Sequence, residues 1–402
     1  MKKLQAFVCA FVLFVVFTIA LNAVVDNVSF TEPGFSTWYN AAKDRCAPAL
    51  SANIDDTTML VMGSSEFNHQ KKSKYHIKNM FSKEDMDVLL IGQPYAQSLS
   101  HAITLASLAS DMKGKKKVML LLSPTWFKNE GVKPEAFASR FSDSAYVGML
   151  TNTDIPLATR QAMAERAAEL LKDNKDLSKR VNLYNNAVFG KNPGRLRLFE
   201  AFFTGWLQSE RERSQLSAEV KLNQKVLKKA PGSSQDETVG DSDEMPDWKT
   251  WDAMWDEADR DTADDHDNPL NMDERTWEEK FKDKYLTSGN LHRNTRLDGP
   301  NEYADLRLFL SVAKAEKLDV EIVILPVNGY WYDYTSLGKS QREYLSDEVA
   351  KITSEFGVKL ADLSDYSYEP GLLTDAVHPW QKGWVLLDET IFSFYKDEEP
   401  AD

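Results

Sequence analysis

Four short apolar runs, Thr58–Met62, Val88–Ile91, Val118–Leu122 and Val320–Leu325, constrain this chain more than any other feature, because each is too short for a buried helix and ends in a turn. The turns are Gly63-Ser64-Ser65, Gly92-Gln93-Pro94, Ser123-Pro124-Thr125 and Pro326-Val327-Asn328-Gly329. Between the runs, Ser98–Ala109 and Tyr303–Ala315 carry apolar residues at helical period. Strands alternating with helices, and apolar throughout rather than at every second position, predict an α/β fold with a parallel sheet flanked by helices. Such sheets bind ligands outside the carboxyl ends of their strands, so the four turns are where chemistry is expected.

The first part of this domain is read as residues 26–133 and the second as 291–402. Ahead of it, Leu4 to Val25 is an uncharged run of 22 residues, about 33 Å as a helix against a bilayer core of about 30 Å. A cleavable signal peptide shares the preceding lysines, but its apolar region is shorter and no Ala-x-Ala site follows here. Residues 1–25 therefore read as an uncleaved transmembrane signal anchor. Lys2 and Lys3 before the run, and Asp26 and Glu32 after it, keep the N-terminus cytoplasmic and place the rest of the chain outside the cell membrane. Cys9 then lies within the membrane and Cys46 beyond it, so the two cysteines cannot pair, and Cys46 is expected as an isolated thiol.

Residues 134–230 read as a helical insertion, with Leu157–Lys172 and Leu196–Val226 the most periodic stretches. Residues 231–290 read as an acidic, Trp-containing insertion. Within it, Asp236–Asp283 holds 19 acidic and 5 basic residues, a difference of 14 that equals the formal charge of the whole chain, −14. This acidity disfavours nucleic acid as a partner, while the remainder of the protein is close to neutral. Trp248, Trp251 and Trp255 fall on one helical face, expected to pack on the globular body. The aspartates Asp259, Asp261, Asp264, Asp265 and Asp267 lack the mid-loop glycine and final glutamate of a calcium loop.

Two segments carry chemistry. Ser64 and Ser65 stand at a strand-to-loop corner, where an α/β fold presents a nucleophile, although an ordinary turn, or a cap with Glu66 in the first helical turn, has the same composition. Asp375-Ala376-Val377-His378-Pro379 supplies a carboxylate and an imidazole from one loop, the pair a serine needs as base and orienting group. His69, His76, His101, His266 and His292 have no comparable arrangement. There is no His-Glu-x-x-His pair, Cys/His cluster or phosphate-binding glycine loop, so no metal and no cofactor is expected.

A serine after the first strand with Asp-x-x-His near the C-terminus resembles the SGNH (GDSL-type) hydrolase superfamily. More specifically, Gly63-Ser64-Ser65-Glu66, Gly92-Gln93, Ser123-Pro124-x-Trp126-Phe127, Pro326-Val327-Asn328-Gly329-x-Trp331-Tyr332-Asp333-Tyr334 and His378-Pro379-x-x-x-Gly383-Trp384, in that order over most of the chain, resemble the DltD family of D-alanyl-lipoteichoic acid biosynthesis proteins. The resemblance implies Ser65 as nucleophile, with Ser64 in the usual place of an aspartate, and Asp375 and His378 completing a triad. The Gly-x-Asn-Asp oxyanion block of the superfamily is absent, its place taken by Ser123-Pro124-Thr125-Trp126. The N–H groups of Ser65 and Gly92, and the side chain of Asn328, are the expected oxyanion donors. Glu66 or Asp333 is the candidate to receive a D-alanyl ammonium, and Trp126, Trp331 and Tyr332 are candidates to surround the substrate, with core packing the alternative for the aromatics.

The implied activity is transfer of D-alanine to hydroxyls of lipoteichoic acid on the outer face of a Gram-positive membrane. Its partners would be the polymer, a D-alanyl donor (carrier protein, lipid or membrane protein) and other membrane proteins of D-alanylation. An anchored esterase or thioesterase shares every triad residue and differs in its acceptor. A non-catalytic scaffold is the third reading, and it leaves the joint presence of Ser65, Asp375 and His378 without a purpose.

Overall fold

The computed structural model describes residues 5, 13, 16, 30–233 and 248–398, without the side chains of 248–250. Five parallel strands form one sheet: β1 (Met59–Gly63), β2 (Val88–Gly92), β3 (Lys117–Leu122), β4 (Asp319–Ile324) and β5 (Lys359–Asp362), in the order β2-β1-β3-β4-β5. Register is set by pairs such as Met59↔Val88, Leu60↔Val118, Leu120↔Ile322 and Ile322↔Leu360. The expected parallel α/β sheet is present. β5 was not anticipated, because a four-residue edge strand that is largely open to solvent, Lys359-Leu360-Ala361-Asp362, carries no apolar run.

Successive residues of a strand face opposite sides of the sheet, and here both sides are covered. Leu60, Met62, Leu89, Leu120 and Ile322 enter one core, shared with α1 (Ser98–Leu108). Met59, Val61, Leu90, Met119 and Val323 enter the other, against Trp384, Leu387 and Ile391 of the C-terminal helix Gln381–Lys396. This double burial is why the strands read as continuous apolar runs.

The stretch read as a helical insertion is a succession of helices from Pro134 to Leu227, the last of them Arg195–Leu227. Their apolar faces, including Phe137, Tyr146, Leu171 and Tyr184, join the same core as Leu60 and Leu120. The acidic stretch contains the helix Trp248–Thr262, which packs along Gln381–Lys396. Trp251 is buried against Phe81 and Phe392, and Trp255 meets Tyr366 edge-on. Asp259 is ion-paired to Lys382 and Asp261 lies 3.8 Å from Lys74, which directs these two carboxylates to lysines. Cys46 is a buried free thiol, pushed up to about 12 by burial. No helix among the described residues is long and apolar enough to cross a membrane; the expected anchor falls, apart from residues 5, 13 and 16, outside them.

Candidate active site

The chain crosses from one side of β1 to the other between β2 and β3, which makes the gap between the carboxyl ends of β1 and β3 the switch point of the sheet. A cavity of about 440 Å³ opens there, lined by Ser64, Ser65 and His69 after β1, Ser123, Thr125 and Trp126 after β3, and His378. Within it the Ser65 hydroxyl lies 2.8 Å from His378 Nε2. On the other side of the ring, His378 Nδ1 lies 2.8 Å and 2.9 Å from the two Asp375 oxygens. A carboxylate accepts the Nδ1 proton, so Nε2 is left as the acceptor for the Ser65 hydroxyl.

Local backbone geometry holds that arrangement. Asp375 Oδ1 also accepts from the N–H groups of Val377 and His378, folding Asp-x-x-His into a tight turn. The Thr374 N–H donates to the His378 carbonyl, and the Asn328 N–H donates to the Ala376 carbonyl. Burial pushes the Asp375 carboxyl up, but the His378 hydrogen bond and charge, with the two N–H donors, outweigh it and hold the group at about 2. The carboxylate is therefore ionised wherever the imidazole has to be oriented.

The turn after β1 distinguishes its two serines. Ser64 is buried, its hydroxyl donating to the Gln93 carbonyl and its N–H to Glu66. Ser65, one residue on, meets the imidazole. The close approach of the two strand ends demands glycine: a Cβ on Gly92 would lie 2.6 Å from the carbonyl carbon and oxygen of Gly63.

Several expected site residues do other work. The Gly92 N–H donates to Asp44 Oδ2 at 3.0 Å, so it is not directed at the cavity. Asn328 caps the helix Gly329–Tyr334 by accepting from the Trp331 N–H, and donates to the Leu270 carbonyl, so its side chain is engaged away from the residues that line the cavity. Trp331 packs edge-on against Phe281, and Tyr332 accepts a hydrogen bond from Lys128, both within the core. Asp333 is paired with Arg342 and accepts from the Tyr368 hydroxyl. Glu66 does line the cavity, but its carboxyl is buried, raised by that burial, and engaged by the Ser64 N–H. Of the expected aromatics, Trp126 alone borders the cavity.

His69 is the residue sequence reasoning missed. Its ring stacks on His378, centroids 3.5 Å apart and planes within 8°. Burial, with the charge of His378 adding to it, pulls His69 down to about 4, so a neutral ring lies beneath the His378 imidazole. The only signal was position: the short helical turn Glu66–Asn68 brings the fourth residue after Ser65 back to the cavity. His69, Asp375 and His378 have ligand atoms within 4.8 Å of one another, the spacing of a metal site. However, the Asp375 oxygens face His378 Nδ1 and His378 Nε2 faces Ser65, so this donor set is arranged for proton transfer and fits an ion poorly.

Fold and site together define a class: a parallel α/β protein that aligns a serine hydroxyl, an imidazole and a carboxylate at the carboxyl edge of its sheet. Within that class the chain belongs to the DltD family, whose model, described as "DltD protein", matches residues 36–396. Protein DltD of Bacillus subtilis (strain 168) is 26% identical over 353 residues, covering 85% of this chain and 83% of the relative. Protein DltD of Staphylococcus aureus (strain NCTC 8325 / PS 47) is 26% identical over 340 residues, covering 84% and 81%. That of Lacticaseibacillus rhamnosus is 24% identical over 345 residues, covering 85% and 78%.

Proposed function

We propose that this protein is a membrane-anchored, SGNH-type serine acyltransferase that moves D-alanine onto hydroxyls of lipoteichoic acid on the outer face of the membrane. The observation that carries this reading is the unbroken hydrogen-bonded series Ser65–His378–Asp375 at the switch point of the sheet. Ser65 Oγ attacks the carbonyl carbon of an activated D-alanyl donor while its proton passes to His378 Nε2. Asp375 stabilises the imidazolium, and the proton then goes to the departing group as a D-alanyl-Ser65 ester forms. A polymer hydroxyl next gives its proton to His378 and attacks the ester, and Ser65 leaves with that proton.

The oxyanion formed in each step is assigned to the Ser65 N–H. The Ser123 and Thr125 hydroxyls line the same cavity and are 2.9 Å apart, close enough to act as a pair. Neither Glu66 nor Asp333 is assigned to the D-alanyl ammonium, because both carboxyls already have partners. The uncharged run Leu4–Val25 would hold the domain at the membrane, beside the donor and the other D-alanylation proteins.

The test is expression of Ser65→Ala and His378→Ala in cells lacking the native protein, with D-alanine ester on lipoteichoic acid measured at matched membrane protein levels. Loss of ester is expected in both. Unchanged ester would move the scaffold reading to first place. Release of free D-alanine by the wild type, without its appearance on the polymer, would select the hydrolase.

A further inference from the structure

A second cavity, of about 250 Å³, borders the same segment just beyond Ser65, with Phe67 and Lys71 in its wall. Lys78 and Lys229 converge on it from elsewhere in the chain, beside the rings of Trp38 and Tyr39. Among the described residues no carboxylate lines it and none of the three lysines has a salt bridge, whereas neighbouring Lys74 is held 2.6 Å from Glu257. Lys71–Lys83 contains five lysines and no acidic residue, in a chain whose formal charge is −14.

Three ammonium groups drawn together repel one another. Burial lowers Lys78 first, and the charges of Lys71 and Lys229 lower it further. The cleft is nonetheless built to keep them together. The Gly34 N–H donates to the Leu227 carbonyl at 2.8 Å and the Gly232 N–H to the Lys78 carbonyl at 3.0 Å, tying the walls to each other. Gly232 has φ of +76°, and a Cβ there would lie 2.7 Å from the Ser82 nitrogen, so the turn that seats Lys229 next to Lys78 requires glycine. Lys71 Nζ sits 5.4 Å from the centre of the Tyr39 ring. A preformed positive cleft whose lysines have no carboxylate partner among the described residues favours an anion, and its aromatic walls suit the C–H surface of a polyol attached to that anion.

We propose that this cleft binds a phosphate group carried on a polyol, either the phosphodiester backbone of the acceptor polymer or the headgroup of an anionic lipid beside it. The polymer as acceptor rests on the acyl-transfer reading; binding of the phosphate does not. The cleft and the triad share the segment from Ser64 to Lys71, so a chain held by its phosphates in one would pass close to the other.

The experiment uses the full chain in nanodiscs of neutral lipid and two soluble probes, a glycerol-phosphate oligomer and a short-chain phosphatidylglycerol, titrated by calorimetry. The variant Lys71→Gln/Lys78→Gln/Lys229→Gln is expected to bind the preferred probe about tenfold or more weakly, and wild-type binding to weaken as salt rises, since it is largely Coulombic. The matching triple Lys→Arg variant should retain binding, which separates lost charge from lost folding. Preference for the oligomer names the polymer as source; preference for the lipid names the headgroup. Ser65→Ala should bind as the wild type does, so a failed triad would leave this result standing. Equal binding of both probes by the wild type and the Gln variant overturns the proposal.

Discussion

Two turns leave the same edge of the sheet, one after β1 and one after β4, and similar residue types serve opposite ends in them. After β1 the backbone goes directly into the short helical turn Glu66–Asn68, and the Ser65 side chain is left facing the cavity and the His378 ring. After β4 the backbone continues to Asn328, whose side chain turns inward to cap Gly329–Tyr334 and to hold Leu270, while its N–H holds the triad loop at Ala376. A polar residue at the end of a parallel strand is thus left facing the cavity or drawn into scaffolding according to whether nearby backbone groups engage its side chain.

That contrast is broken most sharply by Ser65→Ala, which should lower ester formation by roughly 10³-fold or more, with an unchanged unfolding midpoint. A variant that retains activity would remove the β1 turn from the mechanism. Asn328→Ala should do the reverse. It deletes a helix cap and a buried hydrogen bond, so urea unfolding should show a loss of about 2–3 kcal/mol, while the rate per folded molecule stays within a few-fold. A loss of rate comparable to that of Ser65→Ala, at undiminished stability, would return Asn328 to the reaction.

The pH dependence of stability sharpens the comparison at a smaller scale. His69 is held at about 4 in the folded protein, below about 6.5 for an exposed histidine. The unfolded chain therefore binds the extra proton across that window. The stability that neutral His69 supports is complete above about 6.5 and is lost as pH falls towards 4. Because solvent still reaches the ring, the slope should be about 1 kcal/mol per pH unit or less. His69→Phe should accordingly lose less stability than the wild type between pH 7 and pH 5 in thermal melts, and equal losses would contradict the stacked, neutral ring. The smallest effect belongs to Ser64→Ala, about 1 kcal/mol for one hydrogen bond to Gln93, with the rate largely preserved in an ester-formation assay. If Ser64→Ala and Ser65→Ala were equally inactive, the choice between the two hydroxyls would fail.

The strands β1 to β4, the helices between them, and the segments bearing Ser65, Asp375 and His378 were legible because each depends on short-range pattern. Apolar runs report burial on both sheet faces, and Asp-x-x-His is a single turn whose own N–H groups complete it. β5 was not legible, because an edge strand needs its neighbour β4 rather than an apolar pattern of its own.

The residues by themselves thus determined the class of fold and the three groups able to form a triad, since local hydrophobic period and local turn chemistry encode both. Tertiary structure alone decided that Gly92 serves Asp44 while Asn328 serves Leu270, that Trp331 and Tyr332 belong to the core, and that His69 stacks beneath His378. It also brought Lys71, Lys78 and Lys229 to one cleft. The physical reason is the same in each case: a hydrogen-bond partner or a neighbouring charge far away in the chain is selected by packing, and packing depends on distances that no run of neighbouring residues contains.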